Sequence, residues 1–386
     1  MTARPVPKPL PLAGIRVLEF GHTILGPCCG MVLADLGAEV IKIEPPGGER
    51  TRRLKGFGTG YFAYYNRNKK SVILDYKSAE GVAVACELIA TADVLIENMA
   101  PNALGRAGLG PEEAHAINPQ LIYCSLKGFL EGPYAERAAL DEVVQMMSGL
   151  AYMTGPPGMP LRAGTSISDI LGGIFGAMGI LVALRERDRG NRGAVVESAL
   201  FETAAFLMGQ FMASSALTGQ PVPPMPARVS AWAVYELFET AEGGRVFIGI
   251  TSDNHWESFC RKFKRPDLFA DVSLATNEAR VDARHRLIPE LIALFKSLPA
   301  GEIERRCLGA NLPFSRIARP EDLFDDPQLN ANGGLADTVL SGGIATKLPK
   351  LPLRIDGDAF ELRSDPPQAG EHTREILDGL RRRKRP

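Results

Sequence analysis

A strand–helix–strand unit at the start of the chain constrains its fold more than any other feature. The apolar run Ile15-Arg-Val-Leu-Glu-Phe is followed by a helical segment from about Pro27 to Leu36, a Gly37 stop, and a second run, Glu39-Val-Ile-Lys-Ile-Glu. Proline suits the first helical turn, where no N–H is needed, and glycine suits the left-handed position just past a helix end. Roughly 20 residues from strand to strand match a short parallel crossover. The pattern recurs in Ser71-Val-Ile-Leu-Asp, Asp93-Val-Leu-Ile-Glu, Leu121-Ile-Tyr-Cys-Ser and Ala194-Val-Val-Glu-Ser, with Ala79 to Ala90 helical between the first two. The fold class expected is α/β, a Rossmann-like open parallel sheet with ligands beyond the carboxyl ends of its strands.

Composition shifts at Pro221-Val-Pro-Pro-Met-Pro, a stiff segment that reads as a domain boundary. Past it, Val234-Tyr-Glu-Leu-Phe and Val246-Phe-Ile-Gly-Ile flank Glu242-Gly-Gly as a hairpin, and a helical region runs from about Asn254 to Leu298. Three divisions follow: a large α/β domain over 1–220, a linker and smaller α+β domain over 221–335, and a return to the large domain over 336–386. Leu348-Pro-Lys-Leu-Pro-Leu leads that return, which ends in a helix from Glu371 to Leu380.

The charges exclude several functions. In 386 residues, 44 lysines and arginines nearly balance 45 aspartates and glutamates, so no nucleic-acid partner is indicated. The basic C-terminus, Arg381-Arg-Arg-Lys-Arg-Pro, reads as a solvated tail. Six cysteines contain no Cys-x-x-Cys pair and there is no histidine cluster at ligand spacing, which argues against a metal site. Reduced thiols in apolar segments and a start without a signal-peptide core point to the cytoplasm. The longest apolar stretch, about Ile170 to Leu184, is glycine-rich and shorter than the roughly 20 residues of a membrane span. Gly21-His-Thr-Ile-Leu-Gly-Pro lacks the glycine spacing of a dinucleotide fold, and Lys55-Gly-Phe-Gly-Thr-Gly-Tyr follows no clear strand and reads as a mobile loop.

Chemistry concentrates at Asp169. It follows the capping hydroxyls Thr165, Ser166 and Ser168 and opens a glycine-studded helix on which Ile170, Ile174, Phe175, Met178, Leu181 and Leu184 recur near helical spacing. A carboxylate there can simply cap the helix. It can also attack an acyl carbon, and the positive end of the helix is expected to keep it ionised. Lys69, Lys70, Lys77, Arg106 and Lys127 gather near predicted strand ends and together indicate an anionic, nucleotide-like ligand.

These residues, taken together, resemble the class III coenzyme A transferases (CaiB/BaiF type), which include formyl-CoA, carnitine and dicarboxylate CoA-transferases and are related to the α-methylacyl-CoA racemases. The resemblance spans nearly the whole chain. It rests on Gly14-Ile-Arg-Val-Leu-Glu-Phe, Gly26-Pro, Ala34-Asp-Leu-Gly-Ala-Glu-Val-Ile-Lys-Ile-Glu, Asn68-Lys-Lys-Ser, Leu74-Asp-Tyr-Lys, Glu97-Asn-Met-Ala-Pro, Lys127-Gly-Phe, Gly132-Pro, Asp169 with its helix, and Gly370-Glu-His-Thr. It implies that Asp169 is a nucleophile, forming an aspartyl anhydride and then an aspartyl-CoA thioester, with a CoA thioester as substrate and no permanently bound cofactor. It implies CoA-binding roles for Leu74, Lys77, Asn98, Met99, Arg106 and Lys127, a supporting role for Asp141, and an interlocked homodimer.

Departures from the family pattern narrow the activity. The racemases carry Gly-His-Asp where this chain has Ala139-Leu140-Asp141, so one of the two opposed acid/base groups of racemisation is missing. Formyl-CoA transferases have glutamine at the position of Ile24 and a glycine tetrad that is absent before Val234, which argues against oxalate. A small carboxylic acid remains, with a C4 or C5 dicarboxylate as the candidate, succinyl-CoA as donor, and Arg162 and Arg228 as candidates to clamp a distal carboxylate. His22 and His255 read as structural. An α-methylacyl-CoA racemase and a non-catalytic acyl-CoA-binding protein stand as the alternatives.

Overall fold

The computed structural model describes residues 9–383 other than 191 and 229; the last three residues of the basic tail lie outside them. By internal packing the chain forms two units, one of residues up to Ala227 and from Pro327 onward, the other Arg228–Asp326. The chain rejoins the first unit at Pro327, ahead of the 336 that the proline-rich segment indicated.

Six parallel strands form the first unit's sheet: β1 (Arg16–Phe20), β2 (Glu39–Glu44), β3 (Lys69–Ile73), β4 (Val94–Glu97), β5 (Ile122–Lys127) and β6 (Ala194–Ala199). Their order is β3-β2-β1-β4-β5-β6, so the direction of winding reverses between β1 and β4. In such sheets the crevice at the reversal, beyond the carboxyl ends, is the natural ligand site. The central strands are rich in apolar residues because helices cover both faces, with Glu19 and Lys42 buried among them.

Those helices are α1 (Leu25–Asp35), α2 (Tyr61–Tyr65), α3 (Ala79–Ile89), α4 (Ala103–Arg106), α5 (Pro111–Ile117), α6 (Asp141–Met147), α7 (Leu150–Thr154), α8 (Ile167–Gly190), α9 (Leu200–Leu207) and α10 (Gly209–Thr218). Ser78 caps α3 by accepting from the Gly81 N–H. The glycine-rich stretch read as a mobile loop contains a 3₁₀ turn, Gly56–Gly58, just ahead of α2. In the second unit β7 (Val234–Glu239) and β8 (Arg245–Ile250) pair as an antiparallel hairpin, with β9 (Phe314–Arg316) beside β8 and five helices between Asp253 and Ala310.

α8 carries the nucleophile candidate, and its packing inverts a common pattern. It is apolar and long enough to match a membrane span in length and composition, yet the inward face of its first half is mostly glycine and alanine, with Ile180 and Leu184 buried further along. A Cβ on Gly173 would stand 2.7 Å from the Leu25 carbonyl oxygen, 2.9 Å from Cys28 Cβ and 3.0 Å from Cys29 N, so α8 and α1 meet nearly backbone to backbone. Gly172 and Gly176 make similar approaches to Leu25 and to Leu126. Several large side chains turn outward instead: Ile174 is 42% exposed, Met178 53% and Val182 59%. Because backbone atoms line the contact at Gly173, a side chain there has nothing soft to displace. We expect Gly173→Val to destabilise the protein by about 2–3 kcal/mol, read as a lowered midpoint in urea unfolding, with Ile174→Val nearly neutral on its exposed face.

Candidate active site

α8 runs antiparallel to the strands, since its Gly172 carbonyl accepts from Ser198 Oγ (3.0 Å) at the carboxyl end of β6 while Gly179 lies against Val196 further down. Asp169, in the first turn of α8, therefore stands at the carboxyl edge of the sheet. The segment before it is tied to α6. Asp141 Oδ1 accepts from the Ser168 N–H (2.9 Å) and the Asp169 N–H (3.3 Å), and its Oδ2 accepts from Gln145 Nε2 (2.6 Å) and Arg162 Nη2 (3.3 Å). Gln145 Oε1 in turn accepts from the Ala163 N–H (2.8 Å), and Arg162 also reaches Glu142 (2.8 Å).

Asp141 thus takes up the free donors of the helix end, leaving Asp169 without them. The expectation that the helix start keeps Asp169 ionised is overturned. Burial pushes its carboxyl up to about 7, the Asp141 carboxylate adds to the rise, and Arg162 offsets part of it. Arg162, expected as a substrate clamp, is held by Asp141 and Glu142. Beside Asp169 lies an apolar cluster of Ile24, Cys28, Met31 and Tyr65, with Tyr61, Tyr64 and Ile170 packed against it. Ser168 Oγ is buried without a hydrogen-bond partner.

A cleft of about 680 Å³ opens at the same edge, lined by residues that follow β1, β2, β3 and β4, among them Phe20, His22, Glu49, Leu74, Lys77 and Met99. It spans the reversal of the sheet. Its inner wall, Gly21–Thr23, is held by side chains on every side: Lys42 Nζ donates to the Gly21 carbonyl (2.9 Å), Asn98 Oδ1 accepts from the His22 N–H (2.9 Å), Asn98 Nδ2 donates to the His22 carbonyl (3.1 Å), and Glu49 Oε1 accepts from the Thr23 N–H (2.8 Å). Thr23 sits at φ 66°, a strained conformation for a β-branched residue that these bonds sustain. One residue on, Ile24 joins the cluster beside Asp169. The loop so joins the cleft to the surroundings of Asp169.

The profile of CoA-transferase family III matches residues 12–373. The chain belongs to this family. It is 32% identical to the succinate–glutarate CoA-transferase of Agrobacterium fabrum over 98% of both chains. It is 33% identical to the succinyl-CoA–D-citramalate CoA-transferase of Chloroflexus aurantiacus over 96% of this chain and 94% of that one. Among solved structures, a CaiB/BaiF family protein from Brucella suis superposes with a TM-score of 0.86 at 32% identity, covering 97% of this chain and all of that one.

Within this family III chain, Leu74, Lys77 and Met99 line the cleft, and Asn98 pins its wall through His22. Arg106 and Lys127 do not line it. Arg106 is exposed at the end of α4 and donates to the Pro101 carbonyl (3.0 Å), while Lys127, at the end of β5, pairs with Glu197. Lys69 and Lys70 leave the phosphate-binding set: Lys69 is buried on Glu19 (2.6 Å), and Lys70 bridges Glu39 (3.0 Å) and Glu375 (2.7 Å). His255 sits at the start of a helix capped by Ser252 in the second unit. Arg228 lies over Tyr235 in that unit. Sequence reading missed Arg50 and Glu49 in the cleft wall, because a run of Arg50-Thr-Arg-Arg gives no sign of which cation faces a ligand.

The raised Asp169 pKa has a stability consequence. An unfolded aspartate ionises near 3.8, the folded one near 7, so folding loses free energy as pH rises from about 4 to about 7 and the full loss persists above. We expect Asp169→Asn to raise the thermal midpoint at pH 8 by several degrees and to leave it unchanged at pH 3.5. Equal shifts at both pH values would contradict this assignment.

Proposed function

We propose that this protein is an acyl-CoA:carboxylate CoA-transferase that moves CoA between succinyl-CoA and a C4 or C5 dicarboxylate, with Asp169 as nucleophile. The observation that carries the reading is a carboxylate with no hydrogen-bond partner among the described residues, at the same sheet edge as a cleft open to a nucleotide-like ligand. The named relatives, which act on succinate, glutarate and D-citramalate, support the acceptor class.

The ionised Asp169 attacks the thioester carbonyl carbon, the C–S bond breaks, and a mixed anhydride and CoA thiolate result. The thiolate attacks the aspartyl carbonyl, giving an Asp169–CoA thioester and releasing the donor as its carboxylate. The acceptor carboxylate then opens that thioester to a second anhydride, and the thiolate attacks the acceptor carbonyl, restoring Asp169. Each step trades one anion for another, so no proton is taken up or lost. Partial burial raises the energy of the Asp169 anion, which makes it the more reactive once formed.

Asp141 is a positioning residue in this scheme: it orders the first turn of α8 and leaves the Asp169 carboxylate unbonded. The homodimer is supported by the outward apolar face of Ile174, Met178 and Val182, continued by Phe206, 72% exposed. Six unpaired cysteines suit a reducing compartment and support a cytoplasmic setting.

Incubation with succinyl-CoA and pooled glutarate, citramalate, malate and oxalate, read by mass spectrometry, is expected to yield new dicarboxylate CoA esters and a CoA adduct on the Asp169 peptide. Asp169→Ala is expected to lose exchange at least about 1000-fold while still binding CoA; turnover retained in that variant would refute the mechanism. The rate of adduct formation is expected to fall about tenfold per pH unit below 7 and to level off above it. In Asp141→Asn, where the like charge is gone, that midpoint moves to lower pH.

A further inference from the structure

Cations crowd the carboxyl edge of the sheet, but almost all of them are engaged. Lys42 is held by Glu19 (2.9 Å) and Glu49 (2.7 Å), Lys69 by Glu19, Arg52 by Glu44 (2.5 Å), and Lys127 by Glu197. Arg53 Nη1 donates to the Gly47 carbonyl (2.7 Å). Two side chains in the cleft wall differ. Arg50, in the 3₁₀ turn Arg50–Arg53 after β2, and Lys77, in the turn after β3, both line the cleft, and neither side chain has a partner among the described residues.

The acidic groups that line the same cleft do not neutralise them. Glu49 is buried and spends its oxygens on Lys42, the Thr23 N–H and Thr51. Asp75 accepts from the Lys77 backbone N–H (3.2 Å), which fixes the turn without engaging the ammonium group. The rest of the described lining is largely apolar: Phe20, Ile43, Leu74, Tyr76 and Met99. The cleft is therefore polarised, with positive charge on the β2 and β3 side and an uncharged floor leading to the Gly21–Thr23 loop.

We infer that Arg50, which the family resemblance does not assign, is a second phosphate-binding cation that acts with Lys77 on a phosphate group of the CoA ester. This inference rests on the CoA-transferase reading above. A guanidinium offers paired donors to phosphate oxygens where an ammonium offers a point charge, so the two side chains play different parts. Arg50 and Lys77 hold the phosphates on the β2/β3 side, and the pantetheine arm crosses the apolar floor over β1 toward Ile24 and Asp169.

The test is calorimetric titration of Arg50→Ala, Arg50→Lys and Arg50→Glu with CoA and with 3′-dephospho-CoA, each at low and moderate salt. Arg50 is exposed and unbonded, so the variants should fold, and their unfolding midpoints verify this. We expect Arg50→Ala to weaken CoA binding about tenfold or more, Arg50→Glu to weaken it further, Arg50→Lys to recover part, and the salt dependence to shallow when the cation is removed. A loss confined to CoA assigns the 3′-phosphate, whereas an equal loss on both ligands assigns the diphosphate. Binding within twofold of wild type in Arg50→Ala, or equal losses in the alanine and glutamate variants with unchanged salt dependence, would overturn the role of Arg50 while leaving the transferase reading in place. Wild-type protein that binds no CoA would overturn both.

Discussion

A buried set of four charges holds the site together. Glu19, on β1, is wholly buried and shares its two oxygens between Lys42 (2.9 Å) and Lys69 (2.6 Å), while Glu49 takes the other side of Lys42 (2.7 Å). Burial alone would raise the Glu19 pKa, but the two lysines outweigh it and hold it below the usual carboxylate range. Burial would likewise lower Lys42, yet its two carboxylates raise it. Such a set balances only when complete, since removing one member of a buried pair strands the other and costs about 3–5 kcal/mol. What the set holds is backbone: Lys42 the Gly21 carbonyl, Lys69 the Pro27 carbonyl (2.8 Å), Glu49 the Thr23 N–H. The β1–α1 connection and the start of α1 are thereby fixed, and with them the wall between the cleft and Asp169.

The second constraint is the contact of α8 with α1. At Gly173 the helix approaches until backbone meets backbone, while Gly172 and Gly176 admit the side chains of Leu25 and Leu126, and this sets the height of its first turn against the same β1–α1 loop. The ion cluster thus positions one side of the reaction space, the glycine face the other. Ile174, Met178 and Val182 are displaced to its outer face by the same geometry, so the packing that fixes Asp169 also creates the apolar surface attributed to the proposed dimer.

Much of the frame was legible in sequence. All six strands fall within two residues of the runs that announced them, because strands covered on both faces are rich in apolar residues, and Gly37 falls just past α1 while Pro27 lies in its first turn. β3 begins at Lys69, two residues before the apolar run, since a lysine whose ammonium reaches Glu19 can start a strand as well as a valine can. That contact crosses 50 residues and gives no local sign, which is why Lys69 read as a ligand-binding cation. Asp169 was visible because a lone carboxylate at the head of an apolar glycine helix is a local pattern. Its protonation was not: it follows first from burial by the fold and then from the Asp141 carboxylate, 28 residues earlier, which also takes the donors that a local reading assigns to Asp169. Arg50 was hidden for the opposite reason, among neighbours of the same charge that the fold engages and it does not.

The proposed chemistry explains why the site spends its hydrogen bonds as it does. In an exchange that begins and ends with a carboxylate and passes through a thiolate, each anion must be released as readily as it is bound. A nucleophile stabilised by a helix end and an arginine would be ionised at any physiological pH but slow to attack and slow to leave. Here those stabilising groups act on Asp141, and Asp169 stands one bond away from them with its oxygens free. The cost is a carboxyl that half protonates near pH 7; the return is an anion whose reactivity is not spent on its surroundings, at the end of a helix too tightly packed to let it drift.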